Sequence, residues 1–416
     1  MVHVLRLVAL AATMVTAITA QEYKWKVETI DLRSLSEGNY GNDRKPPSRL
    51  RKVLSTLSLR DSKVSTNAAP SSGLPWESIH GLTVSPASYD VPFVEMTIPP
   101  SGQSFRMLVD TSLDGIFLLS SKLKGLPAYY HKVDESLLTK IQSDDSADSN
   151  RYNSLFDMTQ YHGNVIIGHD TELQTTINVV TKFTSDKVRP GRFPIDGIIG
   201  LGGSTSGNLA DTLLGKICGE DIASFTININ GEYDAGNSIE LCSPLSESNP
   251  PQKALTTQAD FSPRGEWITQ EVVLYGNDEI DAVARPRLLV NPAFAEILPT
   301  ETMFPGSLHS DNVELPRKTH YPSIIPSTQF RLRFSLVKQG ILPLTENELV
   351  FREGNDTDDY LALRPFEDYD DTYHLGPAHG FGNEFMGLGR PLFKRYKVYF
   401  KYHEGDMIIS FVDRKE

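Results

Sequence analysis

The stretch LVDTSLDGIFLLS, residues 108–120, sets an acid, a hydroxyl and a small residue between two apolar runs. Such a pattern predicts a strand that ends at Asp110, turns tightly and returns at once as a second strand. Upstream, FVEMTIPP at 93–100 alternates apolar and polar positions and joins FRMLVDTS at 105–112 across the turn-forming SGQS. Similar short runs recur at NVIIGHD, TTINVVTKF, SFTININ, SIELCS, WITQEVVLYG, RLRFSLV, YKVYF and MIISF. Helical signals are few, the clearest being LADTLLGKI at 209–217 with Asn208 as its N-cap. This succession of strands without intervening helices predicts an all-β body rather than βαβ units.

Two further stretches belong with the first. PIDGIIGLGG at 194–203 repeats small residues where an apolar strand must turn, and FMGLGRPLFKRYKVYFKYHEGDMIISF at 385–411 contains the short apolar runs YKVYF and MIISF. In order and spacing, from about residue 90 to the end, these segments resemble the pepsin-like aspartic proteases. The first is similar to the family's Asp-Thr-Gly-Ser strand, the second to its Asp-Gly-Ile-Leu-Gly-Leu-Gly segment, and the third to the closing Leu-Gly-Asp strand, helix and hairpin. GEWITQEVVLYGN at 265–277 and YPSIIPSTQFRLRF at 321–334 resemble the entry and middle strands of the second lobe. The resemblance implies a bilobed fold with a cleft between two β-rich lobes. Together with the composition of the segments between, it divides the chain into a signal peptide (1–20), a basic pro-segment-like arm (21–75), an N-terminal lobe (76–242), a linker rich in Ser, Pro and charged residues (243–262) and a C-terminal lobe (263–416).

The family's reaction requires two carboxylates sharing one proton, so that the ionised member activates water while the neutral one donates to the peptide carbonyl. Asp110 fills the first position and is the candidate surviving acid. Thr111 and Ser112 follow where the family has Thr-Gly, and Leu113 stands where it usually has a hydroxyl that hydrogen-bonds the carboxylate. At the second position, AVARPRLLVNPAF at 282–294 puts Arg285 in place of the acid, or shortens the motif by two residues if LLV is aligned first. Neither alignment supplies a carboxylate, and Arg285 is expected to pair with Asp110. Arg390 replaces the acid of the closing motif. Tyr161, beside Gly163, is the candidate flap residue, although alignment backwards from Gly168 brings Met158 nearer that place.

These substitutions predict a secreted pseudoprotease that binds a peptide or protein, such as a secreted enzyme, through its cleft or rim. The alternative is an active endopeptidase working at acidic pH. The opening MVHVLRLVALAATMVTAITA has the basic, apolar and small-residue regions of a secretory signal, and no later run is long enough to span a membrane. Secretion would permit a Cys218–Cys242 bridge and glycosylation at Asn355, in the sequon Asn355-Asp356-Thr357. A formal charge of −13 opposes binding to a phosphate backbone. Within that acidic chain residues 21–70 carry ten Lys or Arg against six acids, so the arm is expected to cover the body by charge. His162, His169 and Asp170 lack the spacing of a metal site, no cofactor motif is present, and a monomer is expected.

Overall fold

The computed structural model describes residues 22–31, 90–99, 101–124, 126, 130–141, 156–183, 195–203, 209–219, 222–229, 236–243, 254–262, 265–276, 285–293, 297–298, 332–336, 340–344, 350–352, 359–361, 385–403 and 405–414. Strands dominate them. The signal segment, Asn355 and most of the basic arm lie outside the described residues. No helix among the described residues is long and apolar enough to cross a membrane.

The chain enters as two short strands, β1 (Tyr23–Lys26) and β2 (Glu28–Asp31). It continues with β3 (Asp90–Ile98), β4 (Gln103–Asp110), β5 (Asp114–Leu119), β6 (Thr139–Lys140), β7 (Phe156–Ile167), β8 (Thr171–Phe183) and β9 (Gly197–Leu201). The order β3-β4-β9-β5-β8-β7 closes on itself where β7 also pairs with β3, at Met96 with Ile167 and Thr97 with Ile166. The result is a barrel, with β2 and β6 attached outside the closed ring. Alternation explains its filling: Met96, Ile98, Phe105, Met107, Ile116, Leu118, Val165, Ile167, Ile177 and Val179 are buried to 1% exposure or less. Closure also removes the unpaired edges that such apolar strands would otherwise present.

After the barrel, a 3-10 turn at Leu209–Asp211 leads into helix α1 (Leu213–Cys218). Its N-cap is Thr212, whose hydroxyl accepts from the Gly215 N–H at 2.9 Å, while Asn208 lies outside the described residues. Asp114 Oδ1 accepts from the Leu213 N–H at 2.8 Å, tying the helix start to the turn after Asp110. Strands β10 (Ile222–Asn228) and β11 (Ser238–Leu241) follow.

The remaining strands are β12 (Leu255–Phe261), β13 (Trp267–Glu271), β14 (Val273–Gly276), β15 (Arg287–Val290), β16 (Ile297–Leu298), β17 (Leu332–Leu336), β18 (Gly340–Leu344), β19 (Val350–Arg352), β20 (Asp359–Leu361) and β21 (Phe385–Leu388). Helix α2 (Arg390–Arg395) then precedes the hairpin β22 (Tyr396–His403) and β23 (Asp406–Asp413). Ten strands form one sheet in the order β1-β11-β10-β22-β23-β12-β13-β15-β21-β16. Strands from both halves of the chain therefore share this sheet.

Two of the expected boundaries do not match this architecture. The segment 243–262, read as a linker because of its Ser, Pro and charged residues, contains β12, which pairs with β13 and β23 inside the large sheet. Its second part, LTTQADF, has the Thr pair and alternation of a strand, and only the first part has linker composition. The arm expected over 21–75 begins with β1 and β2, and both belong to the body. Four residues of β1 pair with β11, and four of β2 pair with β3. Trp25 is fully buried, and its indole N–H donates to Thr171 Oγ1 at 2.9 Å. The turn between β7 and β8 touches the same ring: Gly168 has φ 65°, and a Cβ there would stand 3.1 Å from Trp25 Cδ1.

Candidate functional site

Each half of the chain builds the same small arrangement. In the first, β9 runs parallel to β4 and antiparallel to β5, giving the order β4-β9-β5. In the second, β21 runs parallel to β15 and antiparallel to β16, giving β15-β21-β16. Asp110 ends β4 opposite Gly200. Val290 ends β15 opposite Leu388, so Asn291 comes level with Gly389. Asp110 and Asn291 are thus structural counterparts. The glycine matters in the first copy, because a Cβ on Gly200 would lie 2.4 Å from the Leu113 carbonyl oxygen.

The two loop residues meet. Asn291 Nδ2 donates to Asp110 Oδ1 at 2.9 Å, and also approaches Ser112 Oγ at 3.3 Å. Asn291 Oδ1 faces the other way, accepting from the Ala293 N–H at 2.9 Å and from the Thr111 N–H at 3.3 Å. Those two backbone donors settle which end of the amide is oxygen. Asp110 Oδ1 also accepts from the Ser112 N–H at 2.7 Å, the Ser112 hydroxyl at 2.7 Å and the Leu113 N–H at 3.2 Å. Asp110 is fully buried, so these donors stand where water would otherwise solvate its carboxyl group.

The loops share a local geometry with one asymmetry. In each, the Asx side chain accepts from the backbone N–H two residues on, Ser112 in the first and Ala293 in the second. Thr111 Oγ1 donates across to the Val290 carbonyl at 2.6 Å, linking the halves. Its counterpart is Pro292, which has neither a hydroxyl nor an N–H to send back. The cross-link is therefore one-sided. Trp267 closes the arrangement from beside it, its indole N–H donating to the Leu201 carbonyl at 2.9 Å.

The predicted site residues divide clearly. Asp110 stands at the centre of the cluster. Arg285 does not pair with it: Arg285 is exposed and precedes β15, whose length carries the chain about 13 Å between Arg287 and Asn291. The strand had to be matched from Leu288-Leu289-Val290 backwards, which makes Asn291 the counterpart of Asp110. Arg390 is a cation near this loop, at 9% exposure, with Nε 3.4 Å from the Pro292 carbonyl. Leu113 removes no donor from the acid, because the Ser112 hydroxyl supplies one instead. Tyr161 is a core residue at 7% exposure in β7, level with Lys140 and Ile177, and so is no lid. Cys218 and Cys242 form the disulfide, with Cα atoms 5.0 Å apart.

Asn291 escaped the sequence reading although its signal was present. LLVNPA repeats the form of MLVDTS, an apolar run followed by Asx, one residue and a small residue. The missing Thr and Gly after Asn291 hid the repeat. No set of three or more His, Cys, Asp or Glu positioned to hold a metal ion occurs among the described residues. No family model matches the chain, and no curated protein matches it.

Proposed function

We propose that this protein is a noncatalytic relative of the pepsin-like aspartic proteases, in which the paired carboxylates have become a carboxylate and an amide. The observation that carries this reading is the 2.9 Å hydrogen bond from Asn291 Nδ2 to Asp110 Oδ1, between structurally equivalent loops. A shared-proton pair needs one member that can release a proton and one that can receive it. A carboxamide does neither in the accessible pH range, and its N–H₂ donates permanently to Asp110. Asp110 can accept a proton from water, but the Asn291 amide hydrogen-bonded to it cannot serve as the neutral acid that protonates a peptide carbonyl.

Asp110, Thr111, Ser112 and Asn291 are each exposed by 3% or less. Their polar cluster acts as a joint between the halves, and recognition falls to the surfaces around it. Within this reading the protein is secreted, and it binds a peptide or protein ligand through the cleft or rim of a bilobed molecule.

The test is digestion of an unfolded protein substrate at pH 3 to 6 by the purified full-length chain, beside an Asp110→Asn control. Equal, background-level cleavage by both is the expected result. Cleavage by the parent chain that disappears in Asp110→Asn would establish the acidic endopeptidase in its place.

A further inference from the structure

The strand pairings at the N-terminus bear on what proteolysis can do to this protein. Residues 22–31 cross from the ten-stranded sheet to the barrel. Tyr23, Lys24, Trp25 and Lys26 pair with Leu241, Glu240, Ile239 and Ser238, and the Val27 N–H donates to the Asn237 carbonyl at 3.1 Å. Glu28 to Asp31 then pair with Phe93 to Asp90. The register sets Asp31 directly opposite Asp90. Asp31 and Asp90 are therefore neighbours, and these pairings do not depend on the continuity of residues 32–89.

We infer that residues 22–31 are a permanent, noncovalently held strand of the folded body, retained when the chain is cut anywhere between Asp31 and Asp90. Backbone pairing along two sheets, the buried Trp25 and Val27 side chains and the Trp25–Thr171 hydrogen bond hold it. Its ion pairs are peripheral. Lys24 meets Glu240 at 2.9 Å with the lysine side chain 66% exposed, and Lys26 meets Glu28 within the segment itself. Recognition of this kind is strand addition, in which the backbone supplies affinity and alternate side chains fill pockets. It has a consequence for maturation: a cut in this interval yields a two-chain protein and does not shed the amino-terminal arm as a unit. Removing the strand would leave the β11 edge unpaired and empty the site of Trp25.

The experiment uses the full chain with a recognition sequence for a site-specific protease inserted after Ala68. After complete cutting, the amino-terminal fragment is expected to co-elute with the body in gel filtration. It should do so equally in low salt and in 1 M NaCl, and separate only in denaturant. Loss of the fragment, from a folded or an aggregated body, would overturn the inference. Release by salt alone would also overturn it, since charge would then be the holding force. Trp25→Phe in the same cut chain keeps most of the apolar contact and loses the hydrogen bond to Thr171. At least a several-fold faster exchange of its fragment against added labelled peptide of residues 22–31 is expected, and an unchanged rate would count against the proposed anchor.

Discussion

At the scale of single residues, the difference between a carboxylate–amide pair and a pair of acids is one atom on residue 291. Asn291→Asp would place an oxygen where Nδ2 now donates to Asp110 Oδ1 at 2.9 Å. Two buried carboxylates at that distance cannot both ionise, so one must keep a proton. The folded state of the variant then binds a proton that the unfolded chain releases at lower pH, and its stability must fall as pH rises through that interval. A loss of about 3–5 kcal/mol at neutral pH, recovering in acid, is expected from urea unfolding at pH 4 and pH 7. A deficit independent of pH would show that no proton is shared. Restored cleavage is not expected from this change alone, because Pro292 cannot return the hydrogen bond that Thr111 sends across.

At the scale of elements, two ties hold the corner where α1, β10, β11 and β1 meet. The Cys218–Cys242 bridge joins the end of α1 to the residue after β11, across a separation of 24 residues. Cys242 has φ 57°, and its N–H donates to the Ser224 carbonyl at 2.8 Å. A left-handed conformation is costly for a residue with a side chain, so the bridge and this hydrogen bond hold it together. Replacing both cysteines by serine should lower stability by about 3.5 kcal/mol in the chain-entropy account, read as a lower urea midpoint for the double variant.

The second tie is electrostatic. Burial raises the Glu240 pKa, but Lys24 and Lys397, hydrogen-bonded and close in charge, outweigh it and leave the group below its usual value. A depressed folded-state pKa contributes stability above the unfolded value and loses it as pH falls through the folded one. Both partners are partly exposed, so Glu240→Gln should cost only about 0.2–1 kcal/mol at pH 7. That difference from the parent protein should vanish by pH 3 in paired thermal melts, and its persistence there would assign the loss to packing.

At the scale of the whole molecule, the barrel and the shared sheet meet around Trp267. Its ring is fully buried, edge-on to Phe225 at 5.7 Å, Phe261 at 4.9 Å and Phe400 at 5.5 Å, while Phe225 and Phe400 stack at 4.4 Å. These rings come from β10, β12, β13 and β22, and the Trp267 indole N–H reaches Leu201 at the end of β9. Edge-to-face and offset contacts add to the area the rings bury. Trp267→Ala removes the largest of them and strands a carbonyl, so a loss of about 3–5 kcal/mol is expected in equilibrium unfolding. Because the residue touches both halves, fluorescence and far-UV circular dichroism should shift together. Separate shifts would show that it supports only one.

Local chemistry in the sequence determined the strand-rich character, most strand positions, the turn after Asp110 and the chemistry available to the two cysteines, because alternation and turn residues act over a few neighbours. Asp110 was legible for the same reason, since apolar run, acid and small residues are contiguous. Three things waited for the tertiary structure. Which residue faces Asp110 depended on the register of β15 against β21, and a strand matched a few residues out of place carries the wrong side chain about 13 Å away. Whether Tyr161 was lid or core depended on which face of β7 the barrel enclosed. And the membership of residues 23–31 in the body depended on edges offered by β11 and β3, which lie far along the chain and exist only after the sheets have formed.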